Sequence, residues 1–163
     1  MRNRSVRLCL AAGVAGLGAL ALIPSGSVVA APPGNNGTIK LDGIPFDSHQ
    51  DNEPHVGCLF ELDFYNYEQG NYNATVKFIV QPPTGKDIVL QNRTVFIGGD
   101  PAGGGGDLDG SLLTDLSPQL VAFMAHPQQG YHVKVAVNAP RSIGADKKAK
   151  TFWVTDCGAP YFP

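Results

Sequence analysis

One segment of nine residues brings together side chains that commonly bind metal ions. Residues 47–55 contain three carboxylates and two imidazoles, which suit zinc or, through oxygen ligands, calcium. The spacing matches no established metal-binding loop, and two other interpretations stay open: a tight turn held by Asp and Asn side chains, and a ligand-recognition loop. If His126 and His132 fold onto this segment, a four-histidine site can form. The candidate ligands in the segment are Asp47, His49, Asp51, Glu53 and His55.

Other acidic residues are weaker candidates. Asp100, Asp107 and Asp109 surround the glycine-rich run between residues 98 and 110 and could bind calcium, although a solvated loop is the simpler interpretation. Glu61 and Asp63 alternate with apolar residues, so we expect them to solvate one face of a strand. No serine lies in a G-x-S-x-G elbow, and no catalytic triad can be assigned.

Aromatic side chains offer a second kind of site. Tyr65, Tyr67, Tyr72 and Trp153 form a binding platform if they share an exposed face, although such residues more often belong to a core. The expectation for Trp153 is a core position. If Phe152 and Val154 face inward instead, Trp153 is exposed and becomes the first residue to test for sugar or protein binding.

The N-terminal residues have the pattern of an export signal. Arg2, Arg4 and Arg7 precede an uncharged apolar run from Leu8 to Ile23, which is shorter than a membrane-spanning helix. We expect residues 1–30 to be a signal peptide cleaved after Ala30, which makes the mature protein secreted and extracellular, with no membrane span. Loss of three arginines makes the formal charge of −2 more negative. This balance gives no reason to expect nucleic acid as a partner.

The cysteine count predicts one disulfide bond. Of three cysteines, Cys9 lies in the predicted signal peptide, which leaves Cys58 and Cys157 in an oxidising compartment. We therefore expect these two to be joined.

The patterns of apolar residues predict an all-β fold. Alternation is clearest in residues 58–65, where Phe60, Leu62 and Phe64 share a face, and we expect this strand to form a hairpin with residues 72–80. Two short apolar runs lie at 88–90 and 94–97, and a short helix is expected from Ser117 to about Met124. About seven strands predict an antiparallel, immunoglobulin-like β-sandwich over residues 38–157, between a flexible leader (31–37) and a tail (158–163).

Four stretches of the sequence carry a family resemblance: GTIKLDGIPFD (37–47), NEPHVGC (52–58), the segment 126–134, and Phe152-Trp153-Val154 with Cys157. Together they resemble a family of secreted actinomycete proteins of uncharacterised function. The resemblance implies export, and it assigns no catalytic residue.

The sequence thus predicts a secreted or cell-envelope β-sandwich with a non-enzymatic binding or scaffolding role. Its expected partner is an unidentified protein or glycan of the envelope, its expected state is a monomer, and no cofactor is required. The alternatives are a metal-dependent hydrolase that uses His49, Asp51, Glu53 and His55, with zinc or calcium as the metal, and a purely structural module.

Overall fold

The computed structural model describes residues 37–103, 106–140, 146–155 and 157. All of them belong to one compact unit, Ala31–Pro163. The expectations for the signal peptide, the tail and all but the last residue of the leader lie outside the described residues. Within the described part of the chain, no helix is long and apolar enough to cross a membrane.

Two β-sheets make up the architecture. A three-stranded sheet has the order β1-β3-β6, and a five-stranded sheet has the order β2-β8-β7-β4-β5. The all-β sandwich prediction is confirmed. In chain order the elements are β1 Thr38–Asp42, β2 His55–Gly57, β3 Leu59–Tyr65, β4 Asn73–Val80, β5 Val89–Phe96, β6 Leu108–Asp115, α1 Ser117–Leu120, β7 Tyr131–Asn138 and β8 Lys147–Thr155.

The core lies between the two sheets and is built from the alternate residues of each strand that point inward. In β4, for example, every second side chain from Ala74 to Val80 is buried. Phe60 from the three-stranded sheet contacts Phe78 and Phe152 from the five-stranded sheet edge-on, with ring centroids 5.6 and 5.4 Å apart. Aromatic pairs in this geometry add to the stabilisation from apolar burial.

The predicted hairpin between residues 58–65 and 72–80 is wrong. β3 pairs with β1 and β6, whereas β4 pairs with β5 and β7. Both segments carry a fully apolar inner face, and these two faces meet across the core instead of lying side by side in one sheet. Alternation identifies the inward face of a strand but not its neighbours.

Several element boundaries also differ from the expectation. β2 is a strand that the sequence did not predict, and it is parallel to β8. Every other strand pair in the described residues is antiparallel. The two runs predicted at 88–90 and 94–97 belong to one strand, β5, with a register shift opposite β4. β6 begins at Leu108, inside the predicted glycine-rich loop, and α1 ends at Leu120.

The predicted disulfide is confirmed. The chain leaves the five-stranded sheet after β2 and enters the three-stranded sheet at β3, and Cys58 lies at this crossing. Cys58 is bonded to Cys157, two residues beyond β8, with the Cα atoms 5.0 Å apart. The bond therefore holds the crossing between the sheets to the C-terminal end of β8.

Candidate functional site

The metal ligands predicted in residues 47–55 do not form a common site. Asp47 pairs with the exposed His49, with Nδ1 and Oδ2 3.2 Å apart, and the His49 N–H donates to Asp47 Oδ1. These contacts lower the pKa of Asp47, mainly through the backbone hydrogen bond. Glu53 accepts a hydrogen bond from the Gly43 N–H, and His55 lies in β2, whereas Asp51 is exposed. The short turn predicted as an alternative is present at Asp47.

The structure gathers a different acidic group. Asp42, Glu61 and Asp63 lie close together, with one potential ligand atom of each within 4.8 Å of the others. In the described chain, no other group of three or more His, Cys, Asp or Glu side chains meets this distance. They lie on the outer face of the three-stranded sheet, since Asp42 is opposite Glu61 in the register and Leu62 points inward. Asp42 is 7 % exposed and Asp63 is 4 % exposed, so the prediction that Asp63 solvates a strand face is wrong.

Protein donors already contact the buried carboxylates of this group. Ser111 donates to Asp63, the Tyr65 hydroxyl donates to Asp63 Oδ2 over 3.4 Å, and the Asp47 N–H donates to Asp42 Oδ2 over 3.1 Å. Burial raises the pKa of Asp63, and both burial and the neighbouring carboxylates raise that of Glu61. The group therefore attaches the segment after β1 to the sheet. The sequence signal for this group is the position of Asp42 in β1, where alternation with the inward Leu41 places its side chain on the outer face.

The second set of predicted acidic ligands is also dispersed. Asp100, Asp107 and Asp109 do not meet the same distance criterion in the described chain. Asp109 Oδ2 accepts the Tyr67 N–H at 2.7 Å, while Asp109 Oδ1 has no hydrogen-bond partner among the described residues. Burial raises the pKa of Asp109 to about 6, with a smaller contribution from the charges of Asp107 and Asp100.

The platform of three tyrosines and Trp153 does not form. Tyr65 is 3 % exposed and Tyr67 is fully buried, with its ring 6.0 Å from that of Phe64. Burial raises the pKa of both hydroxyls, that of Tyr65 to about 12. Tyr72 is partly buried and packs against the core. Of the predicted platform, only Trp153 lies in a strand of the five-stranded sheet.

Trp153 lies on the outer face of the five-stranded sheet and is only partly buried. Its neighbours Phe152 and Val154 face the core, so the expected core position of Trp153 is wrong: the indole lies on the outer face and is half-buried. His132 of β7 and His55 of β2 are its register partners on either side. We call His55, Trp153 and His132 the aromatic row.

The rings around Trp153 are held in place by local contacts. The His132 ring stacks on Trp153 with centroids 4.5 Å apart and an interplanar angle of 23°, and the His126 ring lies 5.9 Å away. His132 Nδ1 lies 2.7 Å from the carbonyl oxygen of Pro82, which fits an Nδ1–H donor, and the His132 backbone N–H donates to Thr84 Oγ1. Three of the four histidines of the chain therefore lie around or beside Trp153, while His49 contacts Asp47.

Charge is divided between the two sheets. No Asp or Glu occurs in the five strands of the larger sheet, whereas acidic residues predominate in the smaller one. The basic residues of the larger sheet are Lys77, Arg93, Lys134, Lys147, Lys148 and Lys150. The charged residues of the smaller sheet are Asp42, Glu61, Asp63, Asp109 and Asp115, together with Lys40. A chain that is acidic overall thus has one basic sheet.

A shallow depression of about 330 Å³ lies on the basic sheet. Lys77, Lys134 and Lys147 border it, and Ala136 and Ala149 contribute to its lining. A second cavity, of about 570 Å³, lies at the disulfide end of the sandwich, where Val121, Tyr131 and Cys157 contribute to its walls. His126 lines this cavity and also contacts Trp153.

The basic face is a feature that the pattern of apolar residues does not predict. Its signal was the absence of acidic residues from the segments that became β4, β7 and β8. Strand parity alone then places Lys77, Lys134 and Lys147 on the outer side.

No protein-family model matches this chain, no curated protein matches it, and no solved structure matches it.

Proposed function

We propose that this protein is a secreted, non-enzymatic binding protein of the cell envelope, and that it binds a glycan on the outer face of its five-stranded sheet. The N-terminal pattern of arginines and apolar residues supports export, and the Cys58–Cys157 bond is typical of proteins in oxidising compartments. The metal-dependent hydrolase finds no support in the geometry, because the side chains of residues 47–55 are not assembled around one point.

The observation that carries the proposal is the position of Trp153. An indole leaves water favourably, so a tryptophan that stays partly exposed on a sheet face is available for a ligand. His132 stacks on it and is fixed by its bond to Pro82, which orients both rings before any ligand arrives. A preorganised aromatic surface of this kind suits the apolar face of a sugar ring, because little side-chain entropy is lost on binding.

The chain provides its own reporter for a test. Trp153 is the only tryptophan, so a change in intrinsic fluorescence reports directly on this site. We expect saturable fluorescence changes on titration with at least one member of a panel of soluble neutral and acidic glycans. Calorimetry then compares Trp153→Ala with Phe96→Ala, which removes an aromatic side chain that is 50 % exposed at the edge strand β5.

The two variants should separate clearly. We expect Trp153→Ala to weaken binding by about tenfold or more, in line with the cost of losing a central aromatic contact, and Phe96→Ala to change it by less than about twofold. Equal effects of the two substitutions would contradict the proposal, as would an unchanged Trp153 signal across the whole panel.

A further inference from the structure

We infer that the glycan bound by this face is anionic and linear, and that its carboxylate or phosphate groups pair with a staggered ladder of basic side chains beside Trp153. The inference rests on the proposed function and specifies the chemical class of the ligand. We define the ladder as Lys147, Lys77 and Lys134, and the aromatic row lies at its end.

The strand register spaces the ladder regularly. We number the rows of outward side chains along β8, so that Lys147 lies in the first row. Ala149 begins the second row, which continues through its partner Ala136 in β7 to Lys77 in β4. Lys134 pairs with Thr151 in the third row, and His132 pairs with Trp153 in the fourth. Each of the first three rows therefore holds one ladder lysine, and the three lysines lie on different strands, so the ladder is staggered across the sheet. Successive rows are two residues apart, which separates them by about 6.6–6.8 Å along the strands, and the three lysine rows together with the aromatic row span about 20 Å.

None of the ladder lysines forms an ion pair with a carboxylate of the described residues. Within the described residues the only ion pair is that between His49 and Asp47, so no carboxylate lies within 4.0 Å of Lys77, Lys134 or Lys147. No strand of this sheet contributes an acidic side chain. Ala136 and Ala149 keep the surface between the lysines low, which lets an extended chain approach the sheet. Charge complementarity therefore favours a polymer that carries repeated negative groups.

The remaining surface favours a glycan over other polyanions. Single-stranded nucleic acid binds to several aromatic side chains on which successive bases stack, whereas the three lysine rows of this ladder present alanine, threonine, asparagine and isoleucine but no aromatic ring. An acidic peptide that adds a strand would use a sheet edge, which here is β2 or β5, whereas the ladder crosses the interior strands. Thr75, Asn138 and Thr151 place hydroxyl and amide groups beside the lysines, where sugar hydroxyls can form hydrogen bonds.

The test compares charged and neutral polymers on one matched set of variants. The probes are polygalacturonate, poly(glycerol phosphate), dextran and a thymidine oligonucleotide, each titrated against Trp153 fluorescence and calorimetry. The variants are Lys77→Gln/Lys134→Gln/Lys147→Gln and, as the control, Lys86→Gln, which removes an exposed lysine outside the sheet. All of them retain Trp153, and thermal unfolding of each variant establishes that it is folded.

We expect polygalacturonate to bind, and binding of poly(glycerol phosphate) as well would show that phosphate groups also pair with the ladder. Binding of poly(glycerol phosphate) alone would overturn the inference, because that polymer has no sugar ring to lie on Trp153. The triple variant should lose about tenfold or more in affinity while Lys86→Gln changes it by less than about twofold, and binding should weaken as salt rises. Preferential binding of the oligonucleotide would overturn the inference. Binding of dextran that the triple variant retains would overturn it as well, but would leave the proposed function standing. No signal with any glycan would overturn both.

Discussion

Removal of the Cys58–Cys157 bond should cost this protein a large part of its stability. The bond joins residues 99 positions apart, so in the unfolded state it closes a loop that contains most of the described chain. The chain-entropy relation for a loop of about 100 residues gives about 4.7 kcal/mol at 25 °C. This value is comparable with the entire stability of many small domains, so the reduced protein should be close to its unfolding threshold.

Urea unfolding of oxidised and reduced protein measures this contribution. With a slope of about 2 kcal/mol/M, a loss of about 4.7 kcal/mol lowers the midpoint by about 2 M. The urea midpoint of the double variant Cys58→Ala/Cys157→Ala should fall by a similar amount. Since Cys58 is buried, the difference between the reduced protein and the double variant reports the packing of the two sulfur atoms. If the reduced protein and the double variant each lost less than about 1 kcal/mol in free energy of unfolding, the bond would not be the main constraint on the unfolded chain.

Two further predictions follow from backbone geometry and from a raised pKa. Gly130 has φ +82°, and a Cβ there would lie 2.1 Å from the carbonyl oxygen of Val154, so Gly130→Ala should destabilise the fold by at least about 1–2 kcal/mol in urea unfolding. Gly99→Ala, where nothing lies within 4 Å, should change stability by less than about 0.5 kcal/mol, and equal effects would refute the steric argument. Asp109 has a folded pKa of about 6, above the unfolded value, so its contribution to stability is present below about pH 4 and is lost as the pH rises through 6. Asp109→Asn should therefore gain stability relative to the parent protein between pH 4 and pH 7, and a flat difference over that range would contradict the pKa assignment.

The sequence predicts which residues face inward more reliably than it predicts what they face. Alternation in residues 58–65 and 72–80 identified two inner faces, because side chains in a strand point to opposite sides in turn. It could not distinguish two strands of one sheet from two strands packed across a core, since both arrangements bury the same residues. The disulfide was predictable for a different reason: once an exported chain is assumed, two cysteines permit only one pairing.

The candidate site was harder to predict because its parts come from separate strands. Phe152, Trp153 and Val154 are all apolar. Hydrophobicity alone therefore does not show whether Trp153 or its two neighbours face the core. Lys77 and Lys134 lie far apart in the chain and are neighbours only through the register of β4 and β7. The acidic group of Asp42, Glu61 and Asp63 likewise depends on the pairing of β1 with β3. Each of these sites is set by strand pairing, which local patterns leave open.

The proposed binding face takes its rigidity from the core beneath it. In β8, Phe152 and Val154 are buried between the sheets, and the residue between them, Trp153, points outward. Core packing thus fixes the backbone that presents the indole, so binding there should cost little backbone entropy. The lysines differ, because their long side chains extend into solvent and must be ordered by the ligand. The aromatic row should therefore contribute an attraction that depends weakly on salt, and the ladder a weaker attraction per residue that salt screens strongly.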